Sequence, residues 1–365
     1  MNSTTRSNAL TVMAPLRPWG YWCSRAKLLL VGLFARSSPL SELRFIHFAQ
    51  WIPFRSLPGG LGGRRRAGMV FIADFDGDLP EYLAAFGLGI ATGMKWSFGS
   101  TVGFPGPRPT RGLIRYVLDR RAPEHVRYVA YPAATVKEVD TACATAAALD
   151  ALRAVDPSRP AERVAAARAV VAALAQAPAP VRLSRWASVR AGLCARHRVS
   201  PFAVAVPVAA GAGADLARRL ADLQARDPAM FERVGGTHVA RLAPLDWARA
   251  AGGPADVDGD GHLLLAATVD GPADGYAERL VTGLGPAADE IFGASPGFPG
   301  HAHPRAAADW LGRHRLKPGL FFPCRSGMAV ADVRRALDRS GRALAVAAAV
   351  PPLPPDQLAE RLAQI

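Results

Sequence analysis

The chain has few cysteines, a small share of charged residues and no long uninterrupted apolar run. Its four cysteines are Cys23, Cys143, Cys194 and Cys324. None of them forms the CxxC spacing that holds zinc or performs thiol exchange, so we predict a reducing, cytoplasmic location. Only 20% of the residues are charged and 50% are apolar, which is typical of a globular protein and excludes a disordered or fibrous chain.

Two apolar segments could be mistaken for a secretory leader or a transmembrane span, but one has the wrong position and the other is too short. Residues 28–35 follow Arg25 and Lys27 but begin far from the N-terminus, unlike a secretory leader. Residues 199–214 are uncharged, yet they number fewer than the about 20 that a transmembrane span needs and they contain two prolines. We therefore predict no transmembrane helix.

The charge balance is strongly basic, with a formal net charge of +14. The densest cluster, Arg64-Arg65-Arg66, follows a glycine-rich stretch and is interpreted as an exposed loop. The chain has no zinc-finger or aromatic RNA-binding signature, so we predict no nucleic-acid partner. An anionic membrane surface or an acidic protein remains open as a partner.

The strongest positive signal is an internal repeat. The segment Phe98–Gly106 (FGSTVGFPG) matches Phe292–Gly300 (FGASPGFPG) at six of nine positions. Four other pairs of segments also match, and they occur in the same order in both copies. They are Val12–Pro15 with Val204–Pro207, His47–Gln50 with His238–Arg241, Asp76-Gly77 with Asp270-Gly271, and Tyr131-Pro132 with Phe322-Pro323. Several matches in one order indicate a tandem duplication.

Each copy is expected to have the order βαββαβ. The first copy has predicted strands at 9–16, 44–52, 69–75 and 126–131, and predicted helices at 25–34, 78–92 and 136–155. The second has predicted strands at 202–208, 236–242, 262–269 and 320–323, and predicted helices at 214–224 and 274–284. Between the copies, 161–177 and 183–198 are predicted helices separated by a proline-containing break.

This order is similar to the ferredoxin-like module, in which two helices cover one face of a four-stranded antiparallel sheet. An apolar second face would need a cover, and the other copy can supply it. We therefore predict an α+β fold of two tandem ferredoxin-like modules packed as an intrachain dimeric α+β barrel. The predicted divisions are a first module at 8–150, a helical connector at 151–200, a second module at 201–345, and a C-terminal tail with a short helix at 346–365.

The architecture resembles the dimeric α+β barrel superfamily, which includes dye-decolorizing peroxidases, chlorite dismutase-like proteins and heme aldoxime dehydratases. In the dye-decolorizing peroxidases, a GxxDG motif provides a distal aspartate and a histidine of the second module binds heme iron. Asp76-Gly77 keeps the last two letters of that motif, whereas Ala73 occupies the position of its first glycine. The resemblance implies a peroxidase-like oxidoreductase with heme as its candidate cofactor.

Two residue pairs that recur in both copies are candidates for chemistry. His47 and His238 lie in apolar, strand-like surroundings and are predicted to be mid-strand, with Arg241 three residues after His238. At the seam between the modules, such histidines can act as acids or bases, and core histidines are the alternative. Asp76 and Asp270 are candidate catalytic carboxylates, or caps of the next helix.

One loop differs between the copies. His301-Ala-His303-Pro-Arg305 stands where the first copy has Pro107–Arg111. His303 or His301 could be an axial heme ligand, with Arg305 on a heme propionate, and an exposed polar loop is the alternative. No metal-ligand motif is present, so we predict no metal centre.

Three functions remain open. The first is a heme-dependent, peroxidase-like oxidoreductase acting on a small molecule in the cleft between the modules. The second is a cofactor-free enzyme or small-ligand binder at the same seam, using His47, His238 and Arg241. The third is a non-catalytic interaction module for an anionic membrane or protein partner.

Overall fold

A computed structural model of the chain describes residues 6–34, 44–57, 66–89, 91–176, 198–251, 261–323, 328–349 and 353–365. The strands are β1 Ser7–Pro15, β2 Ile46–Phe54, β3 Gly68–Asp76, β4 Val126–Val129, β5 Val199–Pro207, β6 Thr237–Leu245, β7 His262–Asp270 and β8 Leu320–Pro323. Most of the predicted connector helix at 183–198 and the first two arginines of the basic cluster lie outside the described residues.

Helices occupy most of the remaining chain. They are α1 Gly20–Phe34, α2 Leu79–Gly89, α3 Ala91–Phe98, α4 Thr110–Asp119, α5 Val136–Arg153, α6 Pro160–Ala175, α7 Gly213–Arg226, α8 Trp247–Ala250, α9 Tyr276–Leu284, α10 Pro286–Phe292, α11 Pro304–Arg313, α12 Val330–Ala347 and α13 Pro355–Ala363. None of these described helices is both long enough and apolar enough to cross a bilayer.

The strands form two four-stranded antiparallel sheets, and each sheet combines both halves of the chain. The strand orders are β1-β3-β2-β8 and β4-β6-β7-β5. The short β4 pairs with β6 of the second half, and the short β8 pairs with β2 of the first half. The predicted boundaries at 150 and 201 therefore do not separate two self-contained sheets.

The register of these exchanged strands corrects one detail of the repeat. Val126 is opposite Leu242 and Leu320 is opposite Trp51, so Tyr128 and Phe322 occupy equivalent positions opposite Ala240 and Ala49. The sequence match of Tyr131-Pro132 to Phe322-Pro323 was therefore wrong by three residues. Short strands carry too few residues to align by identity alone.

The sheets are joined at both outer edges by short backbone contacts. Ala122 N–H donates to Thr11 at 2.9 Å, which links the segment before β4 to β1. On the opposite edge, Leu316 N–H donates to Ala203 at 2.9 Å, which links the segment before β8 to β5. Each edge also carries an isolated bridge, Val12 with Arg121 and Val204 with Arg315.

Both faces of each sheet are covered, which explains why every residue of β2 is buried. One face packs under helices, and the other packs against the second sheet through a core that includes Met13, Ile52, Ile72 and Leu264. A strand covered on both sides needs apolar residues at successive positions, rather than alternation with polar ones. This explains the nearly continuous apolar runs of the long strands.

The two copies of the Phe-Pro-Gly turn have the same backbone. Gly106 has φ +92° and Gly300 has φ +89°, angles that glycine adopts without steric cost. A helix that the sequence did not reveal follows each turn, α4 in the first half and α11 in the second.

The predicted helix 78–92 is divided into two helices, α2 and α3. Its predicted cap is confirmed, because Asp78 accepts a hydrogen bond from Glu81 N–H at 2.8 Å.

A separate helical layer lies at the ends of the two halves. The helices α5, α6, α12 and α13 share an apolar cluster that includes Leu149, Val170, Ala343 and Leu362. The predicted connector helix at 161–177 is α6, and the predicted short helix of the C-terminal tail is α13. The segment between the halves and the tail therefore pack on the last helices of both halves.

Polar side chains cross the interior between the sheets at two equivalent positions. On β6, Arg241 forms an ion pair with Asp74 of β3, and both side chains are almost completely buried. Arg241 also donates to the carbonyl oxygens of Leu10 and Ala73, each at 3.2 Å. At the equivalent position of β2, Gln50 donates to Ala267 O of β7 at 3.3 Å. One half thus uses a charged link where the other uses a neutral amide.

We predict that Arg241→Met lowers the free energy of unfolding by about 3–5 kcal/mol, because it leaves the Asp74 carboxylate buried without its partner. The double variant Arg241→Met, Asp74→Leu is expected to recover most of that loss, since it buries no unpaired charge. Gln50→Met is the matched neutral control and should cost about 1 kcal/mol. Urea denaturation of the four proteins measures this. If the free energy of unfolding of Arg241→Met lies within about 1 kcal/mol of the wild-type value, the prediction is wrong.

Candidate functional site

The two candidate histidines lie at matching β-bulges. In the pairing of β2 with β3, Ile46 is opposite Phe75 and Phe48 is opposite Asp74, so His47 is the extra residue. His238 is the extra residue in the same way between Thr237 and Val239 of β6. The prediction that both histidines are mid-strand was wrong, since each is the second residue of its strand. A bulge redirects one side chain out of the regular alternation.

Each histidine is hydrogen-bonded to the candidate aspartate of its own half. His47 Nε2 lies 2.8 Å from Asp76 Oδ1, and His238 Nε2 lies 2.9 Å from Asp270 Oδ1. An ionised carboxylate only accepts hydrogen bonds, so each Nε2 is the protonated nitrogen. The structure thus brings together four of the five predicted catalytic residues as two His–Asp pairs.

The aspartates are held in turn by the first turns of two long helices. Val136 N–H at the start of α5 donates to Asp76 Oδ2 at 2.8 Å, and Val330 N–H at the start of α12 donates to Asp270 at 3.1 Å. Both aspartates were predicted to cap the next helix. They bind a later one instead, while Asp78 caps α2. Each carboxylate therefore accepts a hydrogen bond at a helix N-terminus, where the backbone N–H groups point outward.

Tyr131 distinguishes the two pairs. Its hydroxyl lies 3.0 Å from His238 Nδ1, and its ring centroid lies 6.3 Å from that of His47. With His238 protonated on Nε2, the Tyr131 O–H donates to Nδ1. By the strand register, the equivalent of Tyr131 is Arg325, which lies outside the described residues. The sequence did not indicate Tyr131 as a site residue, because Tyr131 was used only in the alignment of the two copies, where it was matched to Phe322.

The remaining His47 nitrogen gives the cluster its capacity for chemistry. Among the described residues, His47 is hydrogen-bonded only through Nε2. In the neutral ring, the other nitrogen, Nδ1, then carries a lone pair that can accept a hydrogen bond. An imidazole oriented by a carboxylate through one nitrogen is the arrangement of a general base. The cluster therefore combines a base, His47, with a phenol that is hydrogen-bonded to a second imidazole.

A narrow cleft contains the cluster. Its volume is about 30 Å³, room for one or two water-sized groups. Its polar lining comes from His47, Tyr131, Asp140 and His238, and the remainder is apolar: Phe48, Val136, Val139, Met328 and Val333. An apolar cleft with a few convergent polar groups is typical of a small-molecule site. This cleft would admit only the reacting group of a ligand.

The fifth predicted residue, Arg241, does not line that cleft. It lies three residues further along β6 and is only 2% exposed, in the interior ion pair with Asp74. The ion pair with Asp74 and two hydrogen bonds to backbone carbonyl oxygens explain how the guanidinium can be buried. Side chains three residues apart in a strand point to opposite faces, as expected for His238 and Arg241 from the sequence, so Arg241 lies between the sheets while His238 lines the cleft.

A second cavity lies at the other end of the same strands. It has a volume of about 250 Å³, and its polar lining consists of Arg120, His125, Asp246, Arg249 and His262. His262 and Asp270 are the two ends of β7, so the two cavities are roughly 25 Å apart. Burial lowers the pKa of the His125 imidazole. Sequence reasoning missed this group, because its members are scattered over more than a hundred residues.

The predicted heme ligands do not form a heme site. His303 is exposed at the start of α11, and Arg305 is 91% exposed beside Glu278 at 3.6 Å. His301 Nδ1 lies 2.5 Å from Asp289 Oδ2, an orientation that would suit a metal-bound imidazole. However, none of these three residues lines either cavity, and a porphyrin needs an apolar slot beside its ligand.

The contacts of Asp289 account for this loop without a ligand. Desolvation alone would raise the pKa of the Asp289 carboxyl, but hydrogen bonds from the ring and backbone N–H of His301 hold that pKa below its usual range. The carboxylate stays ionised and fixes His301. In the described part of the chain, no group of three or more histidine, cysteine, aspartate or glutamate side chains is placed to hold a metal ion.

Comparisons with known protein families, with curated proteins and with solved structures found no match to the chain.

We predict that Asp76→Ala lowers the free energy of unfolding by about 1–3 kcal/mol, because it removes two hydrogen bonds to a carboxylate, from His47 and from Val136 N–H. Asp76→Asn should cost less, since its amide oxygen can still accept from Val136. Guanidinium denaturation provides the measurement. An alanine variant as stable as wild type would show that the pair does not anchor α5.

We also predict that hemin titration gives the same absorption spectrum with wild type and with His301→Ala, His303→Ala. The reason is that neither histidine lines any of the cavities found among the described residues. Bovine serum albumin, which takes up hemin, is a positive control for the titration. A Soret shift that appears in wild type and disappears in the double variant would contradict the prediction and establish an axial ligand.

Proposed function

We propose that this chain is a cofactor-independent enzyme that transfers a proton to and from a small carbonyl compound at the seam between its two halves. The observation that carries the proposal is the convergence of two His–Asp pairs on Tyr131 in one narrow cleft. Such a cluster supplies a base and an acid to one bound group.

His47 is assigned as the base. Asp76 holds its Nε2–H at 2.8 Å, so Nδ1 can accept a proton from the carbon next to the carbonyl group. The positive charge that then develops on the imidazole is stabilised by the Asp76 carboxylate. The hydrogen bond from Val136 N–H to Asp76 Oδ2 in turn holds that carboxylate in position.

Tyr131 and His238 are assigned to the carbonyl oxygen. When His238 carries a second proton, its Nδ1–H donates to the Tyr131 oxygen, and the phenol O–H is then assigned to the carbonyl oxygen of the ligand. A hydrogen bond to the carbonyl oxygen stabilises the enolate that forms when His47 removes the proton. Asp270 stabilises the His238 imidazolium as Asp76 does that of His47.

The cleft favours a compact, mostly apolar substrate. Phe48, Val136, Val139, Met328 and Val333 surround the polar groups, and the volume of about 30 Å³ admits only the reacting carbonyl group. The proton removed from carbon returns to the ligand or exchanges with solvent, so the reaction consumes no oxidant or reductant. A heme-dependent oxidoreductase stays a prediction from architecture, and no geometry of the described residues supports it.

We also infer that the two halves are ferredoxin-like modules that exchange their last strands in a dimeric α+β barrel. The βαββ order at the start of each half, the exchange of β4 and β8, and the backbone contacts at both outer edges support this assignment. Closing the two sheets in this way satisfies edge strands that would otherwise be open.

The test is deuterium exchange at carbon. Small methyl ketones and aldehydes, acetone and propanal among them, are incubated with the protein in D₂O and followed by proton NMR. Wild type is expected to accelerate exchange, and His47→Gln should lower the rate by a factor of about 10²–10⁴, the usual contribution of a general base. Tyr131→Phe and His238→Gln should each lower it as well.

His303→Gln is the matched control, because this histidine is exposed and does not line the cleft. It should leave the exchange rate unchanged. Thermal unfolding of every variant separates loss of chemistry from loss of structure. Two results would contradict the proposal. In the first, the probe exchanges deuterium no faster with wild type than it does without protein. In the second, wild type and His47→Gln give equal exchange rates.

A further inference from the structure

Exposed large apolar side chains concentrate on one face of the molecule. Within the described residues there are nine such side chains, and six of them belong to α1 and its neighbourhood or to α3 and the turn that follows it. These six are Trp19, Trp22, Leu29, Leu30, Trp96 and Val102, with Trp19 81% exposed and Leu29 63% exposed. We call these six residues the tryptophan face.

The two segments of this face are adjacent. Arg17 N–H donates to Ser100 O at 3.0 Å, and Val102 N–H donates to Pro15 O at 2.8 Å. Lys27 of α1 also reaches Ser100 Oγ at 3.5 Å. The exposed apolar residues of α1 and α3 therefore belong to one continuous surface. Clusters of this kind mark an interaction site rather than ordinary solvent exposure.

The two segments that carry the tryptophan face contain basic residues but no acidic ones. Residues 17–34 and 91–111 contain no aspartate or glutamate. Their basic residues are Arg17, Arg25, Lys27, Lys95, Arg108 and Arg111. In the described part of the chain none of these six forms an ion pair, whereas Arg219 of α7, the equivalent helix of the second half, pairs with Asp215 at 3.0 Å. The tryptophan face therefore combines apolar and cationic groups without local compensation.

Trp19 occupies a backbone position that suits glycine. Its φ is +63°, the left-handed region that large residues avoid. The equivalent residue of the second half is Gly211, with φ +77°, as shown by matching turns in which Gly20 N–H donates to Arg17 O and Ala212 N–H donates to Ala209 O. The second half folds with glycine at this site, so the fold itself does not require an exposed tryptophan there.

We propose that the tryptophan face docks onto an anionic membrane surface. Tryptophan rings prefer the boundary between headgroups and hydrocarbon, leucines can enter the upper acyl region, and basic side chains around them are attracted to anionic headgroups. A bilayer surface presents apolar and anionic components together over a flat area. The described face matches both components.

The same charge pattern disfavours self-association through this face. In a twofold dimer an identical surface faces itself, so the uncompensated cations of both copies would be brought together. Like charges at an interface cost several kcal/mol. An anionic lipid surface provides the opposite charge that a second copy lacks.

The experiment is co-sedimentation of the full chain with vesicles. Wild type should bind vesicles of phosphatidylcholine mixed with phosphatidylserine, bind pure phosphatidylcholine weakly, and lose binding as salt is raised. The variant Trp19→Gly, Trp22→Ser, Trp96→Ser should bind at least tenfold less. Trp19→Gly suits the backbone at that position, so this variant is expected to fold, and its thermal transition checks that.

A second variant and a matched control separate charge from apolar contact. Lys27→Gln, Lys95→Gln should weaken binding to the mixed vesicles but not to pure phosphatidylcholine. Leu118→Ser, Val171→Ser, Leu344→Ser removes three exposed apolar residues outside the face, and it should bind like wild type.

Three results would overturn the proposal. The first is wild-type binding to mixed vesicles no stronger than to phosphatidylcholine. The second is equal binding by wild type and the tryptophan variant. The third is a concentration-dependent dimer in solution that the tryptophan substitutions dissociate, which would assign the face to a second copy. Binding to soluble polyaspartate that the tryptophan substitutions leave unchanged would indicate charge attraction alone.

Discussion

The exchange of the last strand between the two halves is the constraint on which the rest of the structure depends. Because β4 pairs with β6, and not with a strand of its own half, Ala130 N–H donates to His238 O at 2.8 Å and the following Tyr131 reaches the imidazole of the second half. The same exchange places β8 beside β2. Each sheet is therefore complete only when both halves are folded.

Duplication supplied matched frameworks, and the differences between them carry the specific features. The bulges, the His–Asp pairs and the helix N-termini recur in both halves. Among the described residues, a tyrosine hydroxyl reaches the His–Asp pair of the second half but not that of the first, and Arg241 forms an ion pair where Gln50 forms a neutral hydrogen bond. Two equivalent imidazoles in different surroundings can take opposite parts in proton transfer.

The exterior differs between the halves as clearly as the interior does. The first helix of the second half is amphipathic, with buried Leu216, Leu220 and Leu223 opposite a charged, ion-paired surface. Its counterpart α1 carries exposed tryptophan and leucine and no acidic residue. The two equivalent helices therefore present outer surfaces of different chemistry.

Much of the fold was predictable from the sequence, because its signals are local. Apolar runs located the long strands, the Phe-Pro-Gly turns revealed the duplication, and Leu320–Pro323 was predicted with its observed bounds. His47, His238 and their aspartates were recognisable because both copies keep them. The helices α4 and α11 were missed, since short helices after proline-rich turns leave a weak periodic signal.

The sequence by itself determined the repeat, the order of most elements and the identity of the four residues in the His–Asp pairs. Only the tertiary structure decided that the last strands exchange, that both histidines are bulged residues, that Tyr131 joins them, and that Arg241 is buried in an ion pair. Strand register depends on hydrogen bonds between segments far apart in the chain, and no local pattern encodes which edge a short strand will join.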